Sequence, residues 1–497
     1  MKDSYFDLID QSYAFPQEGF DLRNEHLTFH GVSLRHLIEK YGTPFRFFYL
    51  PKIGDQIKKA RNLFKRAFRR HGYTGAYHYC YCTKCNHFSH VVNETMKHGV
   101  HLETSSAFDI DLIYHLYEDG RIDKDRVIVH NGYKTDDYLA KIVRHLDLGF
   151  VNTIVVLDNA SEIDRLQHFL QGRKIKVGLR MAINEEPQSS YYTSRLGIPA
   201  TEMLDVYREK IATTSNLELE MLHFFVDSGI KDTMYYWGEF KRAVSLYTEL
   251  SKECESINSL NIGGGLPIRN GLGFEYDYEH MINEIVLNIK QSCDEAEVQH
   301  PDIFTEFGKY TVGESGAIIF RVLEEKTQNE NERWYIVDNS LMNTIPDSWS
   351  IQERFILLPV NKWVNPYTRA NVGGISCDHL DYYNSEDLNK VVMLPEIQDD
   401  EPLYLGFFHT GAYQDALSGY GGIKHCLIPS PKHVIIDRDE QGNVIDYVYR
   451  NEQSAEDMFR ILGYQKKKRD DIGTRMIKQF KDQTEAAAVE EIGEVED

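Results

Sequence analysis

The run Ala76-Tyr77-His78-Tyr79-Cys80-Tyr81-Cys82-Thr83-Lys84-Cys85-Asn86 decides how the rest of the chain is read. Ala76–Cys82 is short, aromatic and free of Gly and Pro, which predicts a strand. A lysine closes this otherwise apolar segment. Upstream, Ile57, Ala60, Phe64, Ala67 and Phe68 recur at helical spacing with Lys and Arg between them, which predicts an amphipathic helix. Downstream, seven more strand candidates follow: Gly99–Glu103, Val127–Asn131, Thr153–Asp158, Ile175–Met181, Leu217–Phe225, Ser259–Gly263 and Asp302–Glu306. The segments between them mostly read as helices. Strands alternating with helices imply a parallel sheet, and eight strands suggest a closed (β/α)8, TIM-like barrel. The rival architecture is an open doubly wound sheet.

After about Ala317 the pattern changes. Ile318–Glu324, Trp334–Val337, Val391–Leu394, Leu403–Phe408 and His433–Asp437 read as strands without regular helices between them. Gln441-Gly442-Asn443 is a turn signal, and Val444–Arg450 returns as a hairpin strand. The chain therefore divides into an N-terminal segment (1–40) packing on the β domain, a barrel (41–316), an all-β domain (317–450) and a helical segment with an acidic tail (451–497). No residue-level repeat of 20–50 residues recurs.

The 497 residues carry 55 Lys and Arg against 77 Asp and Glu, a formal charge of −22. Six acids and no base fall in Glu485–Asp497 alone, so the total overstates the acidity of the folded body. The basic cluster Lys466–Arg469 reads as a solvated helix face. The acidic balance argues against nucleic acid as a partner, because phosphate contacts need a basic surface. The 42% apolar fraction supports sizeable cores. There is no apolar run of membrane-spanning length and no signal-peptide pattern at Met1–Phe20. Seven irregularly spaced cysteines do not make a disulfide framework. A soluble protein of the reducing cytoplasm is expected.

Catalytic groups of such barrels sit at the C-terminal ends of the strands. Those ends carry Lys84, Glu103, Asn131-Gly132-Tyr133, Arg180, His223-Phe224-Phe225-Val226-Asp227-Ser228-Gly229, Gly263-Gly264-Gly265 and Glu306-Phe307-Gly308-Lys309-Tyr310. A lysine at the end of an apolar strand has a partner, a low pKa, a covalent bond, or a head that snorkels to the rim. Gly263–Gly265 allows the backbone to approach an anion closely, or is simply a turn. Glu306 suits a heterocycle nitrogen or Arg180. Cys80, Cys82, Cys85, His87 and His90 read as buried residues rather than a metal site, because Cys80, Cys82 and Lys84 share one face of a strand. No metal is expected. Cys85 beside Lys84 is a candidate reactive thiol. In the β domain, Ser376-Cys377-Asp378-His379-Leu380-Asp381 and Gly411-Ala412-Tyr413-Gln414 place a thiol, carboxylates and a tyrosine in loops.

The kinds and order of these elements resemble the fold-type III pyridoxal-phosphate decarboxylases of basic amino acids, whose barrel is alanine-racemase-like. The resemblance covers about Tyr41 to Asp437. It rests on Tyr41-Gly42-Thr43-Pro44, Lys84, Gly263–Gly265, Glu306-x-Gly308-Lys309-Tyr310, Cys377-Asp378 and Gly411-Ala412-Tyr413. Asn131-Gly132-Tyr133-Lys134, Asn339–Ser350 and Gly411–Gln414 look most like the biosynthetic arginine decarboxylases. The resemblance implies pyridoxal 5'-phosphate held by Lys84, with Glu306 at its pyridine nitrogen. It implies Gly264, Gly265, Ser228 and Tyr413 at the phosphate, and Arg180, Phe225 and Lys309 around the cofactor. It implies a homodimer with active sites at the interface. There Cys377 returns a proton to the α-carbon and Asp378 holds the distal cation of the substrate, which a guanidinium suits best. The implied reaction is decarboxylation of arginine to agmatine in polyamine biosynthesis. The alternatives are ornithine, lysine, diaminopimelate or carboxynorspermidine as substrate, or a non-catalytic regulatory homologue. The chain departs from the family at Phe225 and Asp227, where a histidine and a glycine are usual. It departs again at Phe307 and Lys309, where a proline and an arginine are usual.

Overall fold

The computed structural model describes residues 15–184, 195–329, 332–383 and 392–464. The cluster Lys466–Arg469 and the tail Glu485–Asp497 lie outside these residues. The helix expected from Ser454 runs over Ala455–Ile461 within them.

Eight parallel strands close into a barrel: Tyr77–Cys82, His101–Thr104, Ile128–His130, Thr153–Leu157, Ile175–Arg180, Leu217–His223, Ser259–Asn261 and Asp302–Glu306. Closure comes from the pairing of the eighth strand with the first, Ile303 opposite Tyr77 and Glu306 opposite Cys80. That pairing rules out the open sheet. Cys80, Val129, Ile154, Val156, Met221 and Phe304 fill the centre of the barrel. A larger apolar layer lies between strands and helices. The helix Pro51–His71 buries Ile57, Ala60, Phe64 and Ala67 in that layer, as their spacing predicts. Proline at its first position and left-handed Gly72 just past its end bound it.

The second sheet has nine strands. Along its main path the order is Val392–Pro395, Tyr367–Gly373, Glu332–Val337, Gly316–Gln328, Phe45–Tyr49, Lys432–Arg438 and Val444–Arg450. Ile356–Pro359 and Tyr404–Phe408 pair beside Gly316–Gln328. The last two strands on the path form the hairpin expected around Gly442. Phe45–Tyr49, assigned from sequence to the barrel domain, belongs to this sheet instead. It is buried throughout and runs between Gly316–Gln328 and Lys432–Arg438. Sequence reading also missed Ile356–Pro359 and Tyr367–Gly373, which are short or polar and bounded by Pro and Gly. Phe20, Leu27 and Phe29 of the N-terminal segment share a core with Phe45, Phe408 and Val434. Among the described residues no helix is long and apolar enough to cross a membrane.

Candidate active site

Lys84 does not lie on the strand face. Thr83–Cys85 forms a turn of 3-10 helix, which breaks the alternation that would have aligned Cys80, Cys82 and Lys84. The turn lifts the lysine to the C-terminal rim, where its side chain is 41% exposed. Its Nζ donates to both carboxylate oxygens of Glu103, at 2.8 and 2.7 Å. Glu103 ends the neighbouring strand and is buried. Burial disfavours the ammonium, but Cys82, Glu103 and Glu306 around it hold its pKa well above the ordinary lysine value. Burial also raises Glu103, against the pull of Lys84.

Glu306 is buried at the end of the eighth strand. It accepts from Asn261 Nδ2 at 2.8 Å and contacts His223 Nε2 at 3.2 Å, with Asn131 Nδ2 at 3.4–3.5 Å. Burial pushes its carboxyl up, yet His223, Lys84 and Asn261 bring it down to about 2. Burial lowers His223 below its usual value. Among the described residues Arg180 makes no ion pair with Glu306, whose partners are Asn261, His223 and Asn131.

Gly263–Gly265 is a close-packed loop. A Cβ on Gly264 would lie 2.5 Å from the Glu306 carbonyl oxygen, and one on Gly265 would lie 2.7 Å from Gly229 Cα. Among the described residues the amides of Gly264 and Gly265, the Ser228 hydroxyl and the Arg180 guanidinium have no protein partner. These unspent donors and one cation at the strand ends fit an anion such as a phosphate. Phe225 is half-buried against Gly263, and Asp227 faces solvent.

Tyr413 lies beside the lysine turn. Its amide donates to the Cys85 carbonyl at 2.8 Å, its hydroxyl bonds the Cys85 sulfur, and its φ of 67° is unusual for a residue with a Cβ. Burial pushes the Cys85 thiol up to about 11, which removes it as a reactive thiol. Lys309 pairs with Glu353 at 2.7 Å. Gln414 and Asp347 exchange two hydrogen bonds, at 2.7 and 3.2 Å, so two of the stretches that look like arginine decarboxylases are in contact.

Cys377 and Asp378 stand apart. No hydrogen bond or ion pair joins either to Lys84 or Glu306 within the chain among the described residues. The exposed Cys377 lies beside Cys426, which holds its thiol above the ordinary cysteine value. Asp378 has histidine neighbours at 3.6 and 3.8 Å. Sequence reading placed Glu103, Asn131 and His223 at strand ends but assigned them no role. Asn261 was missed, and only its place two residues before the glycine loop pointed to it.

A closed parallel barrel with a lysine at its rim, a buried carboxylate on its floor and free donors at its strand ends defines a cofactor-dependent barrel enzyme. The sequence profile of the pyridoxal-binding domain of pyridoxal-dependent decarboxylases matches residues 54–313. The chain belongs to this family and is a pyridoxal-dependent decarboxylase. It is 21% identical to the biosynthetic arginine decarboxylase of Prochlorococcus marinus strain AS9601, over 83% of this chain and 81% of that protein. It is 21% identical to that of Thermosynechococcus vestitus, over 88% and 84%. Its fold matches the biosynthetic arginine decarboxylase of Campylobacter jejuni with a TM-score of 0.75 at 20% identity, covering 92% of this chain and 90% of that one. It also matches the diaminopimelate decarboxylase of M. jannaschii with a TM-score of 0.72 at 15% identity, covering 89% and 97%.

Proposed function

We propose that the protein binds pyridoxal 5'-phosphate and, as a homodimer in the cytoplasm, decarboxylates L-arginine to agmatine and CO2 in polyamine biosynthesis. What carries the cofactor reading is Lys84, held at the barrel rim by Glu103 and within the field of Glu306, with unpaired donors at other strand ends of the same rim. Lys84 would hold the cofactor through its amine. The Gly264 and Gly265 amides, Ser228, Arg180 and Tyr413 would bind its phosphate, with Phe225 against the ring and Lys309 nearby. When bound, the protonated pyridine ring withdraws electrons from the α-carbon, so that loss of CO2 leaves a stabilised carbanion. Glu306, ionised and fixed by Asn261 and His223, would keep a proton on the ring nitrogen. Cys377, protonated at neutral pH, would supply the proton to the α-carbon from across the dimer interface.

Arginine is favoured by Asp378. Its carboxylate is next to the proton donor and partly exposed, with one oxygen accepting from the Leu380 amide at 2.9 Å and two histidines beyond hydrogen-bonding distance. A guanidinium donates two parallel charge-assisted hydrogen bonds to such a group. The arginine decarboxylases among the relatives support the same substrate. An acidic body also modestly favours a cationic substrate.

The test is reconstitution with pyridoxal phosphate, an absorbance scan, and CO2 release from arginine, ornithine, lysine, diaminopimelate and carboxynorspermidine. Arginine is expected to give the highest kcat/KM. Faster turnover of another of these would move the assignment to it, and a Lys84→Ala variant as active as the parent would remove Lys84 from the mechanism. No absorbance change on reconstitution would favour a regulatory homologue.

A further inference from the structure

The Cys377 and Cys426 sulfurs are 3.4 Å apart, although the residues come from different loops of the β domain. His425 and Cys426 are consecutive in the turn His425–Leu427, where Cys426 has a left-handed φ of 56°. One donor atom from each of Cys377, His425 and Cys426 falls within 4.8 Å of the others. A carboxylate oxygen of Asp378 lies 3.6 Å from His425 Nε2. Two sulfurs and an imidazole nitrogen thus converge from two short segments, with Asp378 beside the imidazole. Among the described residues no other group of three or more His, Cys, Asp or Glu side chains comes together in this way.

Both segments are tied to the same support. Asp381 accepts from the Ser376 amide, the Ser340 hydroxyl and the Met342 amide, each at 3.0 Å. Asn343 Nδ2 donates to the His425 carbonyl at 3.0 Å, and Lys424 Nζ donates to the Asn343 carbonyl at 2.9 Å. Ser340–Asn343 therefore holds the two loops in register. Donors bonded to zinc at about 2.0–2.3 Å in a tetrahedron lie about 3.3–3.8 Å from one another. The two sulfurs, at 3.4 Å, need to part by only about 0.4 Å to take the spacing of two zinc-bound thiolates.

We propose that Cys377, Cys426 and His425 form a binding site for one thiophilic divalent cation per chain, with zinc the ion that this sulfur and nitrogen donor set suits. Binding forms two metal–thiolate bonds and releases the two thiol protons to solvent. The site is open to water, so the ion exchanges and a chelator removes it. If Cys377 has the role given under the proposed function, the bound ion takes the proton donor, and the enzyme is reversibly inhibited. That consequence rests on the functional reading, whereas the site itself does not.

The test uses the full-length enzyme, freed of metal by a chelator and kept reduced, and titrated with Cd2+ while the cadmium–thiolate charge-transfer absorbance is followed. The expected result is saturation at one Cd2+ per chain, competed by Zn2+. Cys426→Ser and His425→Ala should weaken binding by at least about 10-fold. Cys426 has no role in the proposed catalysis, so Cys426→Ser should keep basal decarboxylation while losing most of its sensitivity to Zn2+. Absence of a charge-transfer band in the folded parent, or a band unchanged in Cys426→Ser, overturns the site. Binding that leaves decarboxylation untouched supports the site and instead overturns Cys377 as the proton donor.

Discussion

Lys84 and Glu103, at the ends of adjacent barrel strands, share two short hydrogen bonds of 2.8 and 2.7 Å. The carboxylate favours the charged form of the amine. An amine that must attack a carbonyl needs to be neutral, so Glu103 opposes capture of the cofactor while it positions Lys84. Glu103→Gln keeps the shape and removes the charge. The variant's apoprotein should react with pyridoxal phosphate at lower pH than the parent, the whole rate profile moving in that direction. Stopped-flow absorbance across pH checks this. An unshifted profile would mean that Glu103 does not control the lysine.

The Glu306 carboxyl, held at about 2 against 4.5 for a free glutamate, makes stability depend on acid. A lowered carboxyl stabilises the fold fully above its unfolded pKa, and the contribution is lost as pH falls towards the folded value. The parent should lose stability between about pH 4.5 and 2, and this residue contributes at most on the order of 3 kcal/mol. Glu306→Gln should flatten the curve in that window. Urea denaturation at a series of pH values is the measurement, and an equally steep curve in the variant would place the acid sensitivity elsewhere.

The barrel was legible because eight short strand candidates alternate with segments that read as helices, the pattern of a parallel barrel. Lys84 and Glu306 were legible because a charged group closing such a strand needs a reason. Phe45–Tyr49 was misplaced because pairing between residues more than 260 positions apart leaves no local mark, as with Gly316 opposite Phe48. The partners of Glu306 were hidden for the same reason. Asn131, His223 and Asn261 converge only when three separate strands close into a ring, and no spacing along the chain records that.

Phe45–Tyr49 also carries the pair that joins the sheet to the Tyr413 loop. Arg46 Nε lies 3.0 Å from Asp415 Oδ1, and both side chains are 5% exposed or less. Arg46 also donates to the carbonyls of Thr410 and Thr344. Removing one partner of a buried pair strands the other charge, at about 3–5 kcal/mol. Asp415→Asn and Arg46→Met should each destabilise by that order in chemical denaturation. An effect under about 1 kcal/mol would show that the site relaxes or takes in water.

Gly264→Ala tests whether the glycine loop is as tight as its contacts indicate. The new methyl would meet the Glu306 carbonyl oxygen at 2.5 Å, a backbone atom that cannot swing aside. The loop must move, at about 1–3 kcal/mol, and its amides lose their aim. Affinity for pyridoxal phosphate should fall along with stability. Gly271→Ala is the control, since its Cβ would meet only the Arg354 side chain, no closer than 3.6 Å. Equal cofactor affinity in both variants would remove the loop from the phosphate site.

Asp378→Asn separates the substrate assignment from the chemistry. The amide keeps the size of the side chain and loses the charge that would hold the far end of the substrate. A charge-assisted hydrogen bond contributes about 1.5–3 kcal/mol, or roughly 10- to 150-fold in kcat/KM. The loss for arginine should lie in that range and fall mainly on KM, because this contact is far from the bond that breaks. Ornithine should lose less, since an ammonium cannot match the paired geometry of a guanidinium. The cofactor absorbance should be unchanged. Steady-state CO2 release from both substrates gives the comparison, and a parent-like kcat/KM for arginine would remove Asp378 from substrate recognition.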